Sequence, residues 1–275
     1  MANYQTRDLQ MRALRNLLEL DRLCKAHNLR YYISDGTALG AVRHKGFIPW
    51  DDDLDVVMPR PDYEVFIKHA NEWLNKPFEM VCPENDDKYA GVFAKIIDGS
   101  TTLIERWSFN QLGGIYIDVF PLDGMSSSKL MQKLQITAYR MLSRWIYLYN
   151  RDPYKRGHNY TSWLPLLIQK VFTNRKLHTM IKKVQTAYDY DKSTIVGEFD
   201  DDERGAMPKD ILGKPTPVNF EGHEVLGPEK MEEYLTTLFG NYMEIPPEDK
   251  RRIHNFDFVD FEQSYHDYKD TRVFK

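Results

Sequence analysis

The sequence predicts an α/β (α+β) protein in which short strands alternate with amphipathic helices. Short runs of β-branched and apolar residues lie between turn residues, which is typical of strands. Longer segments repeat apolar residues at helical spacing. The length of 275 residues and the hydrophobic content of 42% allow one large domain, or a core domain with an insertion.

The first elements are predicted to be a helix, a strand and a second helix. Leu9, Leu17 and Leu20 recur at helical spacing and indicate a helix over residues 6–28. Residues 31–34, which begin with an apolar run over 31–33, follow as a strand. A small-residue turn, Asp35-Gly36-Thr37, then leads into a short helix that extends to Val42.

Four aspartates, Asp51, Asp52, Asp53 and Asp55, run into the apolar residues 56–58. We predict a strand here, with Asp51, Asp53 and Asp55 on one face, because side chains alternate along a strand. Converging carboxylates can hold two hard cations about 3.5–4 Å apart, as in metal-assisted phosphoryl transfer. A solvated acidic loop is the alternative. The adjoining apolar strand and the upstream Gly-Thr turn, which suits a close approach to phosphate, favour the metal site.

These motifs resemble the LicD family, whose members are phosphocholine transferases of bacterial surface glycans and have fukutin-related proteins as distant relatives. The resemblance rests on residues 36–40, Arg43, Gly46 and residues 48–55, and it extends over residues 31–254. It implies a nucleotidyltransferase-like fold of the DNA polymerase β type, with a mixed sheet flanked by helices. In that fold a Gly-Ser-like turn precedes an Asp-x-Asp pair, and a later strand supplies a third carboxylate.

The resemblance implies that Asp53, Asp55 and Asp118 are the catalytic and metal-binding residues. Asp118 is the preferred third carboxylate because β-forming residues flank it on both sides. A charged side chain inside such a strand indicates a functional role. Asp123, by contrast, precedes Gly124 and is predicted to belong to an ordinary turn.

Five residues are predicted to bind substrate. Gly36 and Thr37 match the phosphate-binding turn. Arg43 could clamp a phosphate oxygen or pair with a neighbouring aspartate. Lys95, inside the apolar strand 91–97, could contact substrate phosphate or extend its ammonium group to solvent. Trp50 is one of three aromatic candidates, with Trp107 and Tyr116, for holding the quaternary ammonium of choline.

The remaining elements include a strongly basic segment. Residues 129–183 carry twelve Lys or Arg and one acidic residue, for a local charge of +11, so the remainder carries −15 against a total of −4. Two helices are predicted, over 129–149 and 163–183, as an inserted basic helical subdomain. Basic, aromatic-rich amphipathic helices suit an anionic membrane surface. The alternative is a packed helical subdomain whose basic face is solvated.

Other segments define the rest of the organisation. A helix is expected over 63–74, strands over 78–82 and 92–97, a hairpin over 217–225, and a helix between Pro228 and Gly240. The acidic residues 198–203 are predicted to form a solvated loop. The domain boundaries that follow are a catalytic core over 1–125, the basic helical insertion over 126–192, and a C-terminal part over 193–275 that completes the core.

Composition excludes several classes of protein. The net charge of −4 argues against a general affinity for nucleic acid, and no run approaches the ~20 apolar residues that span a bilayer. Cys24 and Cys82 provide neither a disulfide framework nor a cysteine metal site. The start of the chain lacks the apolar segment of a signal peptide. We therefore expect a cytoplasmic protein, and a peripheral position at the inner face of the plasma membrane is the alternative.

The function that the resemblance implies is transfer of phosphocholine from CDP-choline to a sugar hydroxyl of a lipid-linked glycan precursor, of the teichoic acid or lipopolysaccharide type. The cofactor would be Mg²⁺ or Mn²⁺, as two ions. One alternative is a nucleotidyltransferase that moves a nucleoside monophosphate to a sugar or small molecule. Another is a non-catalytic, membrane-associated glycan-binding module.

Overall fold

A computed structural model describes residues 4–105, 111–154, 162–201, 203–251 and 256–269. Trp107, one of the choline candidates, lies outside these described residues. So do His254, at the end of the resemblance to LicD proteins, and residues 155–160 between the two predicted basic helices. Among the described residues, no helix is both long enough and apolar enough to cross a membrane.

Ten strands and eight helices make up the described fold. The strands, in chain order, are β1 (Tyr32–Ile33), β2 (Asp55–Pro59), β3 (Phe78–Val81), β4 (Ala94–Glu105), β5 (Gln111–Met125), β6 (Ile195–Gly197), β7 (Ala206–Pro208), β8 (Thr216–Phe220), β9 (His223–Gly227) and β10 (Phe256–Asp260). The helices are α1 (Thr6–His27), α2 (Asp35–His44), α3 (Arg60–Trp73), α4 (Lys129–Asn150), α5 (Trp163–Val171), α6 (Asn174–Gln185), α7 (Lys209–Leu212) and α8 (Met231–Phe239). Short 3-10 turns cover Glu248–Lys250 and Tyr265–Asp267.

The central sheet is mixed. Its neighbouring strands follow the order β1-β2-β5-β4-β10, in which β2 and β5 are parallel and the other pairs are antiparallel. Strand β3 adds to β4, while β6 pairs with the end of β5 and carries β7. This sheet with its flanking helices confirms the predicted α/β (α+β) class and is consistent with a nucleotidyltransferase-like fold.

Helix α1 is fastened to the sheet by a buried amide. The side-chain nitrogen of Asn16 donates hydrogen bonds to the carbonyl oxygens of Ile96, at 3.2 Å, and Ile115, at 2.8 Å. Asn16 is fully buried, so these bonds offset the cost of removing its amide from water. They tie one helix to both β4 and β5, the two long strands that support the site.

Several predicted boundaries of strands and helices were wrong. The aspartate strand begins only at Asp55, because residues 51–54 form an irregular segment. This segment starts at a turn in which the Asp51 N–H donates a hydrogen bond to the Ile48 carbonyl oxygen. Residues 35–37 belong to the first turn of α2 rather than to a separate turn. The helix predicted over 163–183 is two helices, since Thr173 caps a new helix by accepting a bond from the Lys176 N–H.

Two further predictions concern the C-terminal half and Asp123. The helix expected from Pro228 begins at Met231, while Gly240, at φ 64°, ends it as predicted. Asp123 is not in a turn. It lies inside β5, fully buried, and Arg60 binds its carboxylate through two hydrogen bonds.

The hydrophobic side chains form two clusters. The larger one fills the space between the central sheet, α1, α2, α3 and α8. The second is built mainly from α4, α5 and α6, with Met125 and Phe199 completing it. The domain boundaries at residues 125 and 192 stay a prediction.

Candidate active site

Strand register aligns three charged residues across the sheet. Asp55 of β2 lies opposite Asp118 of the parallel strand β5, and Asp118 lies opposite Lys95 of β4. The Asp118 N–H donates to the Leu54 carbonyl at 2.9 Å and fixes this register next to the aspartate segment. Two of the three predicted metal ligands are therefore neighbours on adjacent strands.

The start of α2 holds the aspartate segment in place. The Thr37 hydroxyl oxygen accepts a hydrogen bond of 2.8 Å from the Asp55 N–H. Gly36 lies so close to the segment that a Cβ there would stand 2.7 Å from an Asp51 carboxylate oxygen. The predicted Gly-Thr pair thus has a structural role that sequence alone did not indicate.

A broadly open pocket of about 550 Å³ contains Asp53, Asp55 and Asp118 in its wall. Its acidic lining residues number seven, and none of the described lining residues is Lys or Arg. The seven are Asp35, Asp53, Asp55, Asp118, Glu198, Asp200 and Asp201. The structure therefore brings the three predicted carboxylates together, with Gly36 beside them.

Three residues of the acidic segment after β6 line this pocket, so the prediction of a solvated loop over 198–203 was wrong for the buried Glu198 and missed the position of Asp200 and Asp201. Strand β6 runs antiparallel to the end of β5, with Gly197 opposite Asp123. The chain that leaves β6 consequently runs back toward Asp118. Glu198 is buried, and its carboxylate accepts hydrogen bonds from the N–H groups of Asp200 and Asp201. Composition alone cannot distinguish such a segment from a surface loop, because the pairing of β6 decides its position.

Asp35 was also missed as a site residue. It is the first residue of α2, at φ 46°, an uncommon backbone conformation for a residue other than glycine. Carboxylate oxygens of Asp35, Glu198 and Asp201 lie within 4.8 Å of one another. Burial and the charge of Asp201 raise the pKa of Asp35 well above its ordinary value, and burial and the charge of Asp200 do the same for the pKa of Glu198.

The predicted metal ligands experience similar repulsion. Burial, followed by the charges of Asp53 and Asp35, raises the pKa of Asp55 well above its ordinary value. Burial raises the pKa of Asp118 to about 7, although the neighbouring Lys95 opposes the shift. The pocket therefore concentrates more negative charge than its surroundings neutralise.

Lys95 lies beside Asp118 rather than in the pocket lining. Its Nζ is 3.0 Å from Glu105 Oε1 and 3.1 Å from Asp118 Oδ1, and it sits 3.1 Å from the centre of the Tyr116 ring. Burial lowers the pKa of Lys95, but the two carboxylates outweigh burial and raise it. These contacts make Lys95 a partner of Asp118, and a contact with substrate phosphate stays a prediction.

Arg43 and Trp50 lie away from the pocket lining. An Arg43 guanidinium nitrogen donates to the carbonyl oxygens of Tyr242, at 2.9 Å, and Glu244, at 3.2 Å. The Trp50 ring lies under the Arg251 guanidinium, 4.2 Å from ring centre to carbon. Both residues therefore connect the aspartate region to the segment after α8, and their predicted contacts with substrate stay predictions.

Other aromatic residues do line the pocket. They are Phe93, Phe120, Tyr147 and Phe239. The rings of Phe93 and Phe120 are half-buried and pack with their centres 4.2 Å apart. These four residues were not evident from the sequence, because they come from four distant segments. The alternation of side chains along β5 could have indicated Phe120, which lies two residues after Asp118 and hence on the same face of the strand.

The donor set suits a hard divalent cation. Mg²⁺ and Mn²⁺ prefer carboxylate oxygens, and Asp53, Asp55 and Asp118 offer only such oxygens to the pocket. The raised pKa values of Asp55 and Asp118 indicate that a cation would relieve repulsion there. The residues present therefore fit the metal ions that the sequence predicted.

Comparisons with known proteins show what this chain is similar to. Residues 28–147, which include the segments that carry Asp53, Asp55 and Asp118, match the family model of the LicD/FKTN/FKRP nucleotidyltransferase domain. The chain is 27% identical over 278 residues to the lipopolysaccharide cholinephosphotransferase LicD of Haemophilus influenzae, covering 93% of this chain and 97% of that protein. A 40-residue segment is 52% identical to uncharacterized proteins of Rickettsia prowazekii and Rickettsia typhi, which is 14% of this chain and 15% and 13% of theirs. Residues 28–147 of this chain are therefore a LicD-type nucleotidyltransferase domain, and nearly the whole chain is similar to a LicD protein.

Proposed function

We propose that the protein transfers phosphocholine from CDP-choline to a sugar hydroxyl of a lipid-linked glycan precursor, of the lipopolysaccharide or teichoic acid type, and releases CMP. The relation to the Haemophilus cholinephosphotransferase supports phosphocholine transfer to a lipopolysaccharide-type glycan. The observation that carries the proposal is one pocket that joins Asp53, Asp55 and Asp118 to a group of aromatic rings. The proposal includes a cytoplasmic location at the inner face of the plasma membrane.

Charge gives the physical reason for metal dependence. A pocket with seven acidic residues and no Lys or Arg among its described lining residues would repel the anionic diphosphate of the donor. Asp53, Asp55 and Asp118 would hold two Mg²⁺ or Mn²⁺ ions, which when bound would neutralise charge on the phosphoryl oxygens. Lys95 supports this role, because it favours the ionised form of Asp118.

The chain's own residues would orient the displacement. The first-turn N–H groups of α2, at Gly36 and Thr37, have no partners within the helix and point toward its N-terminal end, which suits a phosphate. The bond that forms joins the acceptor oxygen to the choline-bearing phosphorus, and the bond to the CMP oxygen breaks. We assign Asp118 as the carboxylate that accepts the hydroxyl proton.

The aromatic wall supports choline as the transferred head group. A quaternary ammonium group neither donates nor accepts hydrogen bonds, so aromatic faces and nearby negative charge are its natural partners. Phe93 and Phe120 provide the faces, and the acidic residues of the same pocket provide the charge. These residues replace Trp50 and Tyr116 as the choline candidates that we favour.

A product assay tests the proposed reaction. The protein is incubated with CDP-choline, Mg²⁺ and lipid-linked sugars, and mass spectrometry follows CMP and the phosphocholine-bearing product. Asp53→Asn should lose turnover, while Asp249→Asn, a matched change at an exposed aspartate outside the pocket lining, should keep it. Pyrophosphate release from a nucleoside triphosphate, without CMP release from CDP-choline, would instead indicate nucleotidyl transfer. Binding of the glycan without any turnover would indicate a binding module.

A kinetic comparison tests the choline contacts. Phe93→Leu removes an aromatic face but keeps an apolar side chain. We expect KM for CDP-choline to rise roughly 3- to 30-fold, the range of a cation–π contact. KM for CDP-ethanolamine, whose ammonium can donate hydrogen bonds, should rise less. Equal changes for both donors would remove Phe93 from the choline subsite.

A further inference from the structure

Helix α4 exposes a row of apolar side chains on its outer side. Leu130, Leu134 and Met141 are 68%, 54% and 48% exposed. At about 100° per residue they fall within about 40° of one another. Tyr139 and Ile146, which are buried in the second hydrophobic cluster, lie on roughly the opposite side of the helix. A helix that packs on a core normally has polar residues where α4 has this row.

Helix α5 repeats the pattern over a shorter length. Trp163, Leu167 and Val171 follow one another at intervals of four residues and are 61%, 48% and 54% exposed. Pro165 and Ile168 are the buried residues of this helix. Six large apolar side chains on two packed helices are therefore exposed, although the same helices bury other residues in the second hydrophobic cluster.

Cations accompany this apolar surface. Lys129 and Lys133 are exposed on α4 and Lys170 is exposed on α5. They belong to the segment with a local charge of +11, whereas the rest of the chain carries −15. An anionic surface would therefore repel most of the protein and attract this part. Apolar side chains next to lysines are the composition of helices that lie in a membrane interface.

We propose that α4 and α5 form a docking surface for an anionic lipid bilayer, with Leu130, Leu134, Met141, Trp163, Leu167 and Val171 entering the interface. The lysines would pair with lipid head groups, and Trp163 suits the boundary between apolar chains and water. Ser143 and Tyr147 of α4 also line the acidic pocket. A helix is only about 10–12 Å across, so docking would hold the pocket near the bilayer. The proposal concerns the surface alone and does not depend on which group is transferred.

Vesicle co-sedimentation tests the docking surface directly. The full chain is mixed with vesicles of phosphatidylcholine alone, or of phosphatidylcholine and phosphatidylglycerol in equal parts, at low and high salt. We expect binding to the anionic vesicles, weakened by salt. Changing Lys129, Lys133 and Lys170 to Gln should weaken binding about a hundredfold, since each lysine near an anionic surface contributes roughly fivefold.

Matched variants separate a docking surface from a general charge effect. Lys68, Lys88 and Lys214 are exposed and lie outside α4 and α5, so changing these three to Gln alters net charge equally but should leave binding as it was. Trp163→Ser with Leu167→Ser should weaken binding at least tenfold while circular dichroism remains unchanged, because both side chains are exposed.

Three results would overturn the proposal. The first is no binding of the unmodified protein to anionic vesicles. The second is equal loss in the two lysine variants. The third is a dimer in analytical ultracentrifugation that Trp163→Ser with Leu167→Ser converts to a monomer, without vesicle binding, which would make a second copy of the chain the occupant.

Discussion

Replacing Asp123 by Asn should destabilise the protein without stopping catalysis. Replacing Asp118 by Asn should stop catalysis without destabilising the protein. Asp123 is 1% exposed and Arg60 is 10% exposed, and two hydrogen bonds of 2.6 and 2.7 Å join them. Removing one partner of such a buried pair costs about 3–5 kcal/mol, because the other charge stays buried without its counter-ion. Glu64, 3.2 Å from Arg60, would still compensate part of the Arg60 charge. We therefore expect the free energy of unfolding to fall by about 3 kcal/mol.

The expected change in melting temperature follows from that value. For a chain of this size, 1 kcal/mol corresponds to roughly 2–4 °C, so Asp123→Asn should lower Tm by roughly 6–12 °C. Asp118→Asn should shift Tm far less. It removes a carboxylate that burial and Glu105 disfavour, and Lys95 keeps its contact with Glu105 at 3.0 Å.

Thermal unfolding and a product assay on the same samples provide the measurement. Asp123→Asn, assayed well below its Tm, should retain turnover, whereas Asp118→Asn should lose it. A cycle with Arg60→Gln, alone and combined with Asp123→Asn, isolates the energy of the pair. Loss of turnover in folded Asp123→Asn, or an unchanged Tm, would contradict the division into a structural and a catalytic aspartate.

Three further predictions concern the carboxylates and their supports. Metal-free protein should lose stability as pH rises from about 4 to above 7. In that window folded Asp118, whose pKa is about 7, keeps a proton that the unfolded chain has released; urea titrations in EDTA would measure this, and a rise would contradict it. Asp55→Asn should abolish turnover yet raise the Tm of metal-free protein, because burial and Asp53 disfavour the charge at Asp55. Thr37→Val should cost about 1–3 kcal/mol by leaving the Asp55 N–H without its acceptor, and Thr37→Ser, which keeps the hydroxyl, should not.

Local pattern and the resemblance were sufficient to predict three carboxylates that meet in one pocket, and their catalytic and metal-binding roles stay predictions. The apolar residues after Asp55 and the β-forming neighbours of Asp118 indicate that these two carboxylates lie on strands. Strand pairing then brings Asp55 and Asp118 together. The resemblance to LicD proteins implied a third carboxylate from a later strand, but not the parallel register. The boundary error at Asp55 did not matter, because Asp53 still reaches the pocket.

Long-range pairing explains what the sequence could not predict. Glu198 and Asp201 reach the pocket only because β6 pairs with β5, more than seventy residues earlier in the chain. Asp123 looked like a turn residue because glycine follows it, yet Gly124 is required by close approach: a Cβ there would stand 2.7 Å from the Tyr188 carbonyl oxygen. In both cases a tertiary contact overrides a local preference.

The excess of carboxylates over the proposed metal ligands bears on the choice between the two proposed transfer reactions. A nucleoside triphosphate would bring several more negative charges than CDP-choline into a pocket where Asp35, Glu198 and Asp201 already repel one another. CDP-choline would instead place a positive trimethylammonium group in the same pocket, beside aromatic rings such as Phe93. Coulomb energy therefore favours the choline donor, with the size of the preference set by how far the pocket excludes water. Competition of CTP against CDP-choline in the product assay would measure that preference, and tight inhibition by CTP would argue against it.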